Sequence, residues 1–300
     1  MSFASEVKSE LLRHENESCC ETSMSRSLLL FGREFSTAGI SFLTENREIA
    51  EAYAAAVHLF SGVTPEIRTS GSGNCKITVN DKDQIETLFG EVLPGGLNEK
   101  KQLTLGRIEK DCCRRSFIRG AFLAAGTVTD PDKEYHLEFT CPSRNLAAEL
   151  LEMIGRFDIV MKQTKRGGAN VLYLKKSGDI EDLLLLMGAN DTAMMMMGAK
   201  MFKDVRNTVN RRVNFENANM VRSVTAAGKQ YDAIQTIEAH GGISSLPPEL
   251  QELARLRLEN PDVSNGEIRK LLSDSLTISG VNHRFQKLMK IAEEMRHEDK

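Results

Sequence analysis

Hydrophobic residues follow the same order of helical and strand patterns twice within the first two-thirds of the chain. In the first half of this region, NREIAEAYAAAVHLF has the apolar spacing of a helix, and the strand-like CKITV at 75–79 and the apolar DKDQIETLFG follow it. The second half has the same order, with the helical SRNLAAELLEMIGRF, the strand-like VLYLK at 171–175 and the apolar SGDIEDLLLLMG. Because helices and strands differ in the period of their apolar residues, this order predicts an internal duplication.

Two adjacent cysteine pairs mark the starts of the two copies. Cys19-Cys20 begins CCETSMSRSLLLFGREFSTAGISF, and Cys112-Cys113 begins CCRRSFIRGAFLAAGTV 93 residues later. A period of this length is too long for a solenoid repeat and suits a duplicated α+β domain. We predict such a domain over residues 1–195, with repeats at about 1–95 and 105–190, each running helix–strand–strand–helix–strand–strand–helix.

A glycine-rich segment precedes a strand in each copy, SGSGN at 70–74 and RGGAN at 166–170. A phosphate-binding loop requires Gly-Lys-Ser/Thr after its glycines, followed by a helix, and neither segment has this sequence. The two segments are therefore predicted to be hairpin turns.

Residues 246–300 predict a separate all-α domain. Pro247-Pro248 begin a helix within LPPELQELARLRLENP whose apolar face carries Leu250, Leu253, Ala254 and Leu258. The sequence Ser264-Asn265-Gly266-Glu267 is a capping box, and it opens a short helix predicted to bury Ile268, Leu271 and Leu272.

A third helix follows the polar turn SDSLT, and we predict Ser279 as its N-cap. Its apolar stripe comprises Val281, Phe285, Leu288, Ala292 and Met295. A helix-turn-helix (HTH) domain has this order of elements: a helix, a short helix, a turn and a longer basic helix. Between the two domains, residues 196–245 are predicted to be a helical linker of two helices, Gly198–Arg212 and Glu216–His240, the second stopped by Gly241-Gly242.

The third helix of the HTH pattern carries the residues expected to contact double-stranded DNA. Its N-terminal part would enter the major groove, with Ser279 and Gly280 near the backbone. Arginine and asparagine suit base edges, and lysine suits phosphates. The predicted DNA-binding residues are Ser279, Gly280, Asn282, His283, Arg284, Gln286, Lys287 and Lys290, with Arg211 and Arg212 of the linker as further candidates. The alternative is an amphipathic three-helix bundle without a nucleic-acid partner.

Composition narrows the class of protein. Hydrophobic residues make up 41% and charged residues 27% of the 300 residues, as in folded globular chains. The apolar runs LLLLMGA and MMMMGA are shorter than the roughly 18 residues of a membrane span, and the N-terminal segment lacks the apolar core of a signal peptide. The expectation is a cytoplasmic, nucleoid-associated protein without a membrane partner. Net charge is −3, yet residues 200–230 hold seven Lys and Arg against two Asp and Glu, which indicates a local anionic partner.

The six cysteines form no Cys-x-x-Cys motif and have no histidine at zinc-finger spacing. Reduced cysteine usually behaves as a small buried hydrophobic residue. We therefore predict a structural role for all six, no metal site and no cofactor, with a metal or redox role as the less favoured alternative.

The segment Ile118–Gly126, IRGAFLAAG, resembles the nine-residue LAGLIDADG helix of homing endonucleases. Two such helices pack closely at a pseudo-twofold axis, and the small residues Gly120, Ala121, Ala124 and Ala125 suit that contact. FGREFSTAG at 31–39 is interpreted as the equivalent helix of the first repeat. The resemblance implies an α+β duplicated LAGLIDADG-like domain followed by the all-α HTH domain.

In those endonucleases, the eighth helix position carries an acidic residue that binds the catalytic metal. Ala38 and Ala125 occupy these positions here, so no catalytic residue and no metal site are predicted. Glu34, Asp130 and Asp132 are the acidic residues nearest in sequence that could replace them, although Asp130 and Asp132 lie in a predicted turn, where aspartate usually bonds backbone amides.

The LAGLIDADG-like halves, the NRRVN and NAN segments and Ser279–Arg284, SGVNHR, together resemble the WhiA family of sporulation and cell-division regulators. The resemblance implies a bacterial DNA-binding transcription factor linked to septation and chromosome segregation, without nuclease activity. In sporulating actinomycetes such proteins work with an iron–sulfur WhiB-like partner. The N-terminal domain is a candidate surface for a protein partner. The alternative function is an interaction protein of the division or segregation machinery that binds DNA only nonspecifically.

Overall fold

A computed structural model describes residues 2–15, 17–93 and 108–298. Its internal contacts divide the chain into two units, Met1–Lys203 and Asp204–Lys300. The predicted boundary between the two repeats, at about residues 95–105, lies outside the described residues. Within the described part of the chain, no helix is both long enough and apolar enough to cross a membrane.

The first repeat begins with two helices and then alternates pairs of strands with helices. Its elements are α1 Phe3–Arg13, α2 Ser18–Leu30, β1 Glu34–Ser36, β2 Gly39–Thr44, α3 Arg47–Ser61, β3 Ile67–Thr69, β4 Cys75–Val79 and α4 Lys82–Val92. The side chains of Asn46 and Asp81 accept hydrogen bonds from the first backbone amides of α3 and α4, so polar caps set where these helices begin.

The second repeat has the same order from α2 onward. Its elements are α5 Asp111–Ala125, β5 Gly126–Val128, β6 Leu137–Cys141, α6 Arg144–Gly155, β7 Lys162–Arg166, β8 Ala169–Leu174 and α7 Ser177–Met187. The two antiparallel sheets have the corresponding orders β1-β2-β4-β3 and β5-β6-β8-β7. The predicted duplication and the α+β fold class are confirmed.

Both glycine-rich segments are hairpin turns, as predicted. One joins β3 to β4, and the other joins β7 to β8. Gly167 and Gly168 have φ angles of 56° and 84°, and glycine adopts such positive values without a Cβ clash.

Helices α2 and α5 pack side by side and join the two repeats. A Cβ atom on Gly120 would lie 2.1 Å from the Ser27 side-chain oxygen and 2.2 Å from the Met24 carbonyl oxygen. The helices therefore touch backbone to backbone at this point, which only glycine permits. Gly120, one of the small residues predicted on α5, serves the contact, and Ser23 and Ser27 of α2 are buried.

The interpretation of residues 31–39 as the first LAGLIDADG-like helix is wrong. The structural equivalent of α5 is α2, and Gly32 follows its end with its amide donating to the Leu29 carbonyl. Residues Glu34–Ser36 form β1, and Ala38 lies in the turn before β2. The Ser36 hydroxyl accepts from the Ala38 amide and donates to the Gly39 carbonyl, so local side-chain bonding favours the turn over a helix.

A single helix, α8 Asn190–His240, occupies most of the region predicted as a two-helix linker. The predicted break at residues 213–215 is wrong because the Asn- and Arg-rich sequence there contains neither proline nor a glycine pair. The predicted stop at Gly241-Gly242 is confirmed, since Gly242 has a φ of 73° and its amide donates to the Ile237 carbonyl.

After α8 and a short 3-10 helix at Ile243–Ser245, the described part of the chain contains three α-helices, namely α9 Pro248–Glu259, α10 Asn265–Leu271 and α11 Ile278–Glu298. Their core combines apolar residues of all three with the end of α8, among them Ile234, Leu253, Ile268 and Phe285. The prediction that Leu271 is buried is wrong, because this side chain is 53% exposed and Leu272 packs in the core instead.

Candidate nucleic-acid interface

Helix α11 has one buried and one exposed face. Its buried residues are Val281, Phe285, Leu288 and Ala292, and Met295 is partly buried against the same core. The stripe predicted from the sequence is thus the face that packs on α9 and α10. The opposite face of α11 is left for a partner.

Six of the predicted DNA-contacting residues lie exposed along α11. These are Ser279, Asn282, His283, Gln286, Lys287 and Lys290. The ammonium group of Lys287 lies 3.8 Å from Glu249, and that of Lys290 lies 3.7 Å from Glu294. Both are long, solvated ion pairs, which contribute little and which a phosphate can replace.

The cap of α11 differs from the prediction. The hydroxyl of Thr277, and not that of Ser279, accepts a hydrogen bond of 3.2 Å from the Gly280 amide. Ser279 lies within the first turn, 3.0 Å from the Thr277 hydroxyl. A Cβ atom on Gly280 would meet its neighbours at 3.5 Å, an ordinary contact distance, so packing does not require glycine here.

Arg284 has a different environment from its neighbours on α11. Its side chain is 19% exposed, with its guanidinium 3.3 Å from the Asp274 carboxylate and donating to the Glu249 carbonyl at 3.1 Å. These contacts connect α11 to the beginning of α9 and to the turn before α11. Arg284 is thereby held against neighbouring elements of the domain, and its contact with DNA stays a prediction.

Arg257 on α9 is fully buried, and sequence analysis placed no function on it. Its guanidinium donates to the carbonyls of Asn260 and Val263 at 3.1 and 2.6 Å and stands 5.1 Å from the centre of the Phe285 ring. Burial lowers the pKa of Arg257, but arginine starts so high that the group remains charged. The charge fixes the loop between α9 and α10 to the core of the domain.

From Arg257 a chain of hydrogen bonds reaches the exposed face of α11. Arg257 donates to Oδ1 of Asn265 at 2.7 Å, and Nδ2 of Asn265 donates to Oδ1 of Asn282 at 2.8 Å. The amide of Asn282 is thereby held in one orientation with its oxygen towards α10. No periodicity in the sequence could have revealed this chain, because it joins three elements.

Arg211 and Arg212 both lie exposed on α8. Arg212 pairs with Glu216 one helical turn later at 2.9 Å, with its side chain 81% exposed. This part of α8 also exposes an apolar face at helical spacing, formed by Val205, Val209, Val213, Met220 and Val224.

Position 125, the place of an acidic residue in the endonucleases, is the last residue of α5. It lines an open cavity of about 380 Å³ together with Gly32 and Arg33, which follow α2. Among the described residues that line this cavity, none is Asp or Glu. Gly32 thus lines the same cavity as Ala125, whereas Ala38 is not among the described residues that line it.

The acidic residues that could replace the missing metal ligands, Glu34, Asp130 and Asp132, lie in a strand and in a turn. Glu34 is exposed in β1. Asp130 accepts a hydrogen bond of 2.9 Å from the Asp132 amide, which confirms the predicted turn.

A basic edge strand in the second repeat was not predicted. Every residue of β7 is exposed, including Lys162, Lys165 and Arg166. Arg166 pairs with Glu138, which also accepts from His136. Burial works to raise the pKa of Glu138, but these two partners lower it overall. Charged residues protect edge strands from aggregation, so the strand by itself does not establish a DNA contact.

The fold and the exposed helix define the class of this protein, a duplicated LAGLIDADG-like domain followed by an HTH domain. The family model described as the WhiA LAGLIDADG-like domain matches residues 114–206, and the model of the WhiA C-terminal HTH domain matches residues 209–292. The chain belongs to the WhiA family.

Relatives align along nearly the whole chain. The probable cell division protein WhiA of Ruminiclostridium cellulolyticum is 34% identical over 308 residues, covering 99% of this chain and 98% of the relative. Its namesake in Clostridium botulinum strain Hall is 33% identical, with 99% of each chain covered. The crystal structure of full-length DUF199/WhiA from Thermotoga maritima has the same fold, with a TM-score of 0.59, 24% identity and coverage of 98% and 99%.

Proposed function

We propose that this protein is a sequence-specific DNA-binding transcription regulator that acts in bacterial cell division and chromosome segregation, and in sporulation where relatives sporulate. It would act on the nucleoid in the cytoplasm. The observation that carries the proposal is the exposed polar face of α11, set on an apolar core by its opposite face. The names of the relatives support the link to cell division.

The residues near the beginning of α11 would recognise bases. Asn282 is held by Asn265, which orders it before DNA binds and lowers the entropic cost of the contact. His283 and Gln286 lie exposed beside it. Lys287 and Lys290 would contact phosphates, with Arg211 and Arg212 as further phosphate contacts on α8.

A selection from a random duplex pool tests this function. We expect the full chain to recover a motif, and Asn282→Ala to weaken binding to that motif by about 1–3 kcal/mol at the position that it reads. Lys287→Ala/Lys290→Ala should weaken binding to all sequences and reduce the slope of log affinity against log salt by about 2. Gln251→Ala changes a polar residue of α9 that hydrogen-bonds the Leu246 carbonyl and is not among the proposed DNA contacts, so this matched control should retain the motif.

Nuclease activity is proposed to be lost. Gly32 and Ala125 leave the cavity at the pseudo-twofold axis without an acidic ligand among the described residues, so a catalytic divalent cation would lack its charge partners. Incubation of the selected duplex with Mg²⁺ or Mn²⁺ should leave it intact. Cleavage that persists in Glu34→Ala and Asp130→Ala variants would place the activity elsewhere and contradict this part of the proposal.

The second candidate is an interaction protein of the division or segregation machinery that binds DNA nonspecifically. The exposed apolar face of α8, from Val205 to Val224, favours it, because such faces on a helix commonly contact a partner. Recovery of no motif, together with equal affinity for every duplex and a steep dependence on salt, would support this candidate over the regulator.

A further inference from the structure

The two cysteine pairs that mark the repeats meet in the folded protein. Cys19 and Cys20 lie in the first turn of α2, and Cys112 and Cys113 lie in the first turn of α5. All four sulfur atoms lie within 4.8 Å of one another. We propose that these four cysteines form a zinc site that joins the two repeats.

The spacing of the sulfur atoms suits a single metal ion. With zinc–sulfur bonds of about 2.3 Å, tetrahedral coordination places the sulfur atoms about 3.8 Å apart. Cys112 and Cys113 are already 3.9 Å apart, and the remaining pairs require contractions of at most about 1 Å. A bridged iron–sulfur cluster binds its cysteines to different iron atoms, which such close sulfurs do not accommodate. Soft thiolate ligands suit zinc, which takes four of them in tetrahedral sites, and we therefore name zinc as the ion.

The elements around the site hold the four cysteines in place. Ser23 donates a hydrogen bond of 2.7 Å to the Cys113 carbonyl, which connects α2 to α5. The Cys113 thiol donates to the Cys19 carbonyl at 3.6 Å, which is a second hydrogen bond between α2 and α5. Corresponding residues of the two repeats thus meet across the pseudo-twofold axis, so the ligand set is symmetric and assembled by the packing of the two helices.

The two helix ends also favour the charge of the bound form. Zinc displaces four thiol protons and leaves a tetrathiolate centre with a net charge of −2. The four cysteines lie in the first turns of α2 and α5, where the helix dipoles are positive, and neither helix has a side-chain hydrogen bond at its cap. The Cys20 amide donates to the Glu17 carbonyl at 2.9 Å, and the partial positive charge of both helix ends favours the thiolates.

The site is distinct from the position of the endonuclease metal. Cys112 and Ala125 stand near opposite ends of α5, separated by 13 residues and thus by about 20 Å. The proposed zinc is therefore structural. It would fasten the two repeats together at the end of the helix pair that is remote from Ala125.

Metal binding can be measured directly on the full chain after removal of any affinity tag. The reduced, chelator-treated protein is titrated with Co²⁺, a spectroscopic probe of tetrahedral thiolate sites, and then with Zn²⁺. We expect one Co²⁺ per chain with intense sulfur-to-cobalt charge-transfer absorption, which one equivalent of Zn²⁺ removes. Zinc should also slow alkylation of the exposed Cys112 by at least tenfold.

Single substitutions assign the ligands. Cys112→Ser changes an exposed side chain, so the variant should keep its circular dichroism spectrum while it binds Co²⁺ more weakly and with less intense charge-transfer bands. Cys75→Ala and Cys141→Ala remove buried thiols outside the cluster and should bind one metal ion as the parent does. Absence of the bands in the parent, or unchanged binding by Cys112→Ser, would overturn the proposal. A protein isolated with a disulfide between α2 and α5 and no affinity for metal would overturn it as well.

Discussion

Asn265 on α10 donates a hydrogen bond of 2.8 Å from Nδ2 to Oδ1 of Asn282 on α11. Asn265 is itself held by the buried guanidinium of Arg257 at 2.7 Å. An exposed amide that would otherwise rotate freely is thus fixed by the core of the HTH domain. The exposed face of α11, which we propose to contact DNA, is in this respect ordered in the free protein.

Asn265→Ala should weaken binding to the selected site by about 1 kcal/mol, because the Asn282 amide loses its fixed orientation. Binding to unrelated duplexes should be unchanged. A double-mutant cycle measured by fluorescence anisotropy checks the cause. If Asn265 acts through Asn282, then Asn265→Ala/Asn282→Ala binds no more weakly than Asn282→Ala. Fully additive losses would show that Asn265 contacts DNA itself.

Arg257→Ala should destabilise the HTH domain by about 3 kcal/mol or more, because the loop carbonyls lose a charged donor and the core gains a cavity. Arg255→Ala, two residues earlier on the exposed side of α9, is the matched control and should change stability by less than about 0.5 kcal/mol. Amide hydrogen exchange in peptides from residues 246–298 measures the effect locally. Equal protection of the two variants would contradict the role of Arg257.

Gly280→Ala separates folding from DNA binding. Space exists for the methyl group at 3.5 Å from its neighbours, so α11 should gain about 0.5–1 kcal/mol in stability. Affinity for DNA should fall nevertheless, because the proposed approach of this backbone to a phosphate leaves no room for a methyl group. Gly228→Ala in α8, with open space around it, is the control and should bind DNA normally. Undiminished binding by Gly280→Ala would place the DNA backbone elsewhere.

Gly120→Ala should destabilise the N-terminal unit by about 1–3 kcal/mol, since its Cβ would lie 2.2 Å from the Met24 carbonyl oxygen and the backbone there cannot yield cheaply. Gly90→Ala in α4 has no neighbour within 4 Å and should be neutral or stabilising. Thermal unfolding followed by circular dichroism compares the two. Comparable melting temperatures would mean that α2 and α5 can separate without loss of stability.

The HTH domain should lose stability in acid. The backbone amide and hydroxyl of Ser273 lower the pKa of Glu252, with a smaller contribution from Arg284, and those of Ser264 lower the pKa of Glu267. A carboxylate with a lowered folded-state pKa stabilises the fold above its unfolded value, about 4.3, and this stabilisation is lost as pH falls through the folded pKa.

Hydrogen exchange in residues 246–298 measured from pH 6 to about pH 3 tests this expectation, after correction for the intrinsic exchange rate. Glu252→Gln should flatten the dependence below about pH 4, because the amide has no proton to take up. If Glu252→Gln loses protection in acid as much as the parent does, the loss of stability is due to other carboxylates.

Much of this architecture follows from local sequence. Apolar spacing and polar caps are properties of neighbouring residues, so the duplicated α+β order, the two glycine hairpins and the stripe from Val281 to Ala292 were predicted correctly. The chain also predicted an HTH domain. Its similarity to WhiA proteins was visible in the LAGLIDADG-like halves, the NRRVN and NAN segments and residues 279–284 taken together.

Tertiary structure decided which residues face one another. Ala38 matched a motif but lies in a turn, whereas Gly32, which follows α2, lines the same cavity as Ala125 of α5. The packing of α2 on α5 defines which residues of the two repeats are equivalent. Arg284 had the sequence position of a base-reading residue, yet contacts to Asp274 and Glu249 bury most of it.

The two cysteine pairs, 93 residues apart in sequence, form one cluster because the first turns of α2 and α5 lie side by side. Helical and strand periods record which side of an element is apolar, whereas the neighbours across a packed interface depend on the whole fold. For this reason the sequence of this protein determined its elements and its family, and its folding determined the environment of each functional side chain.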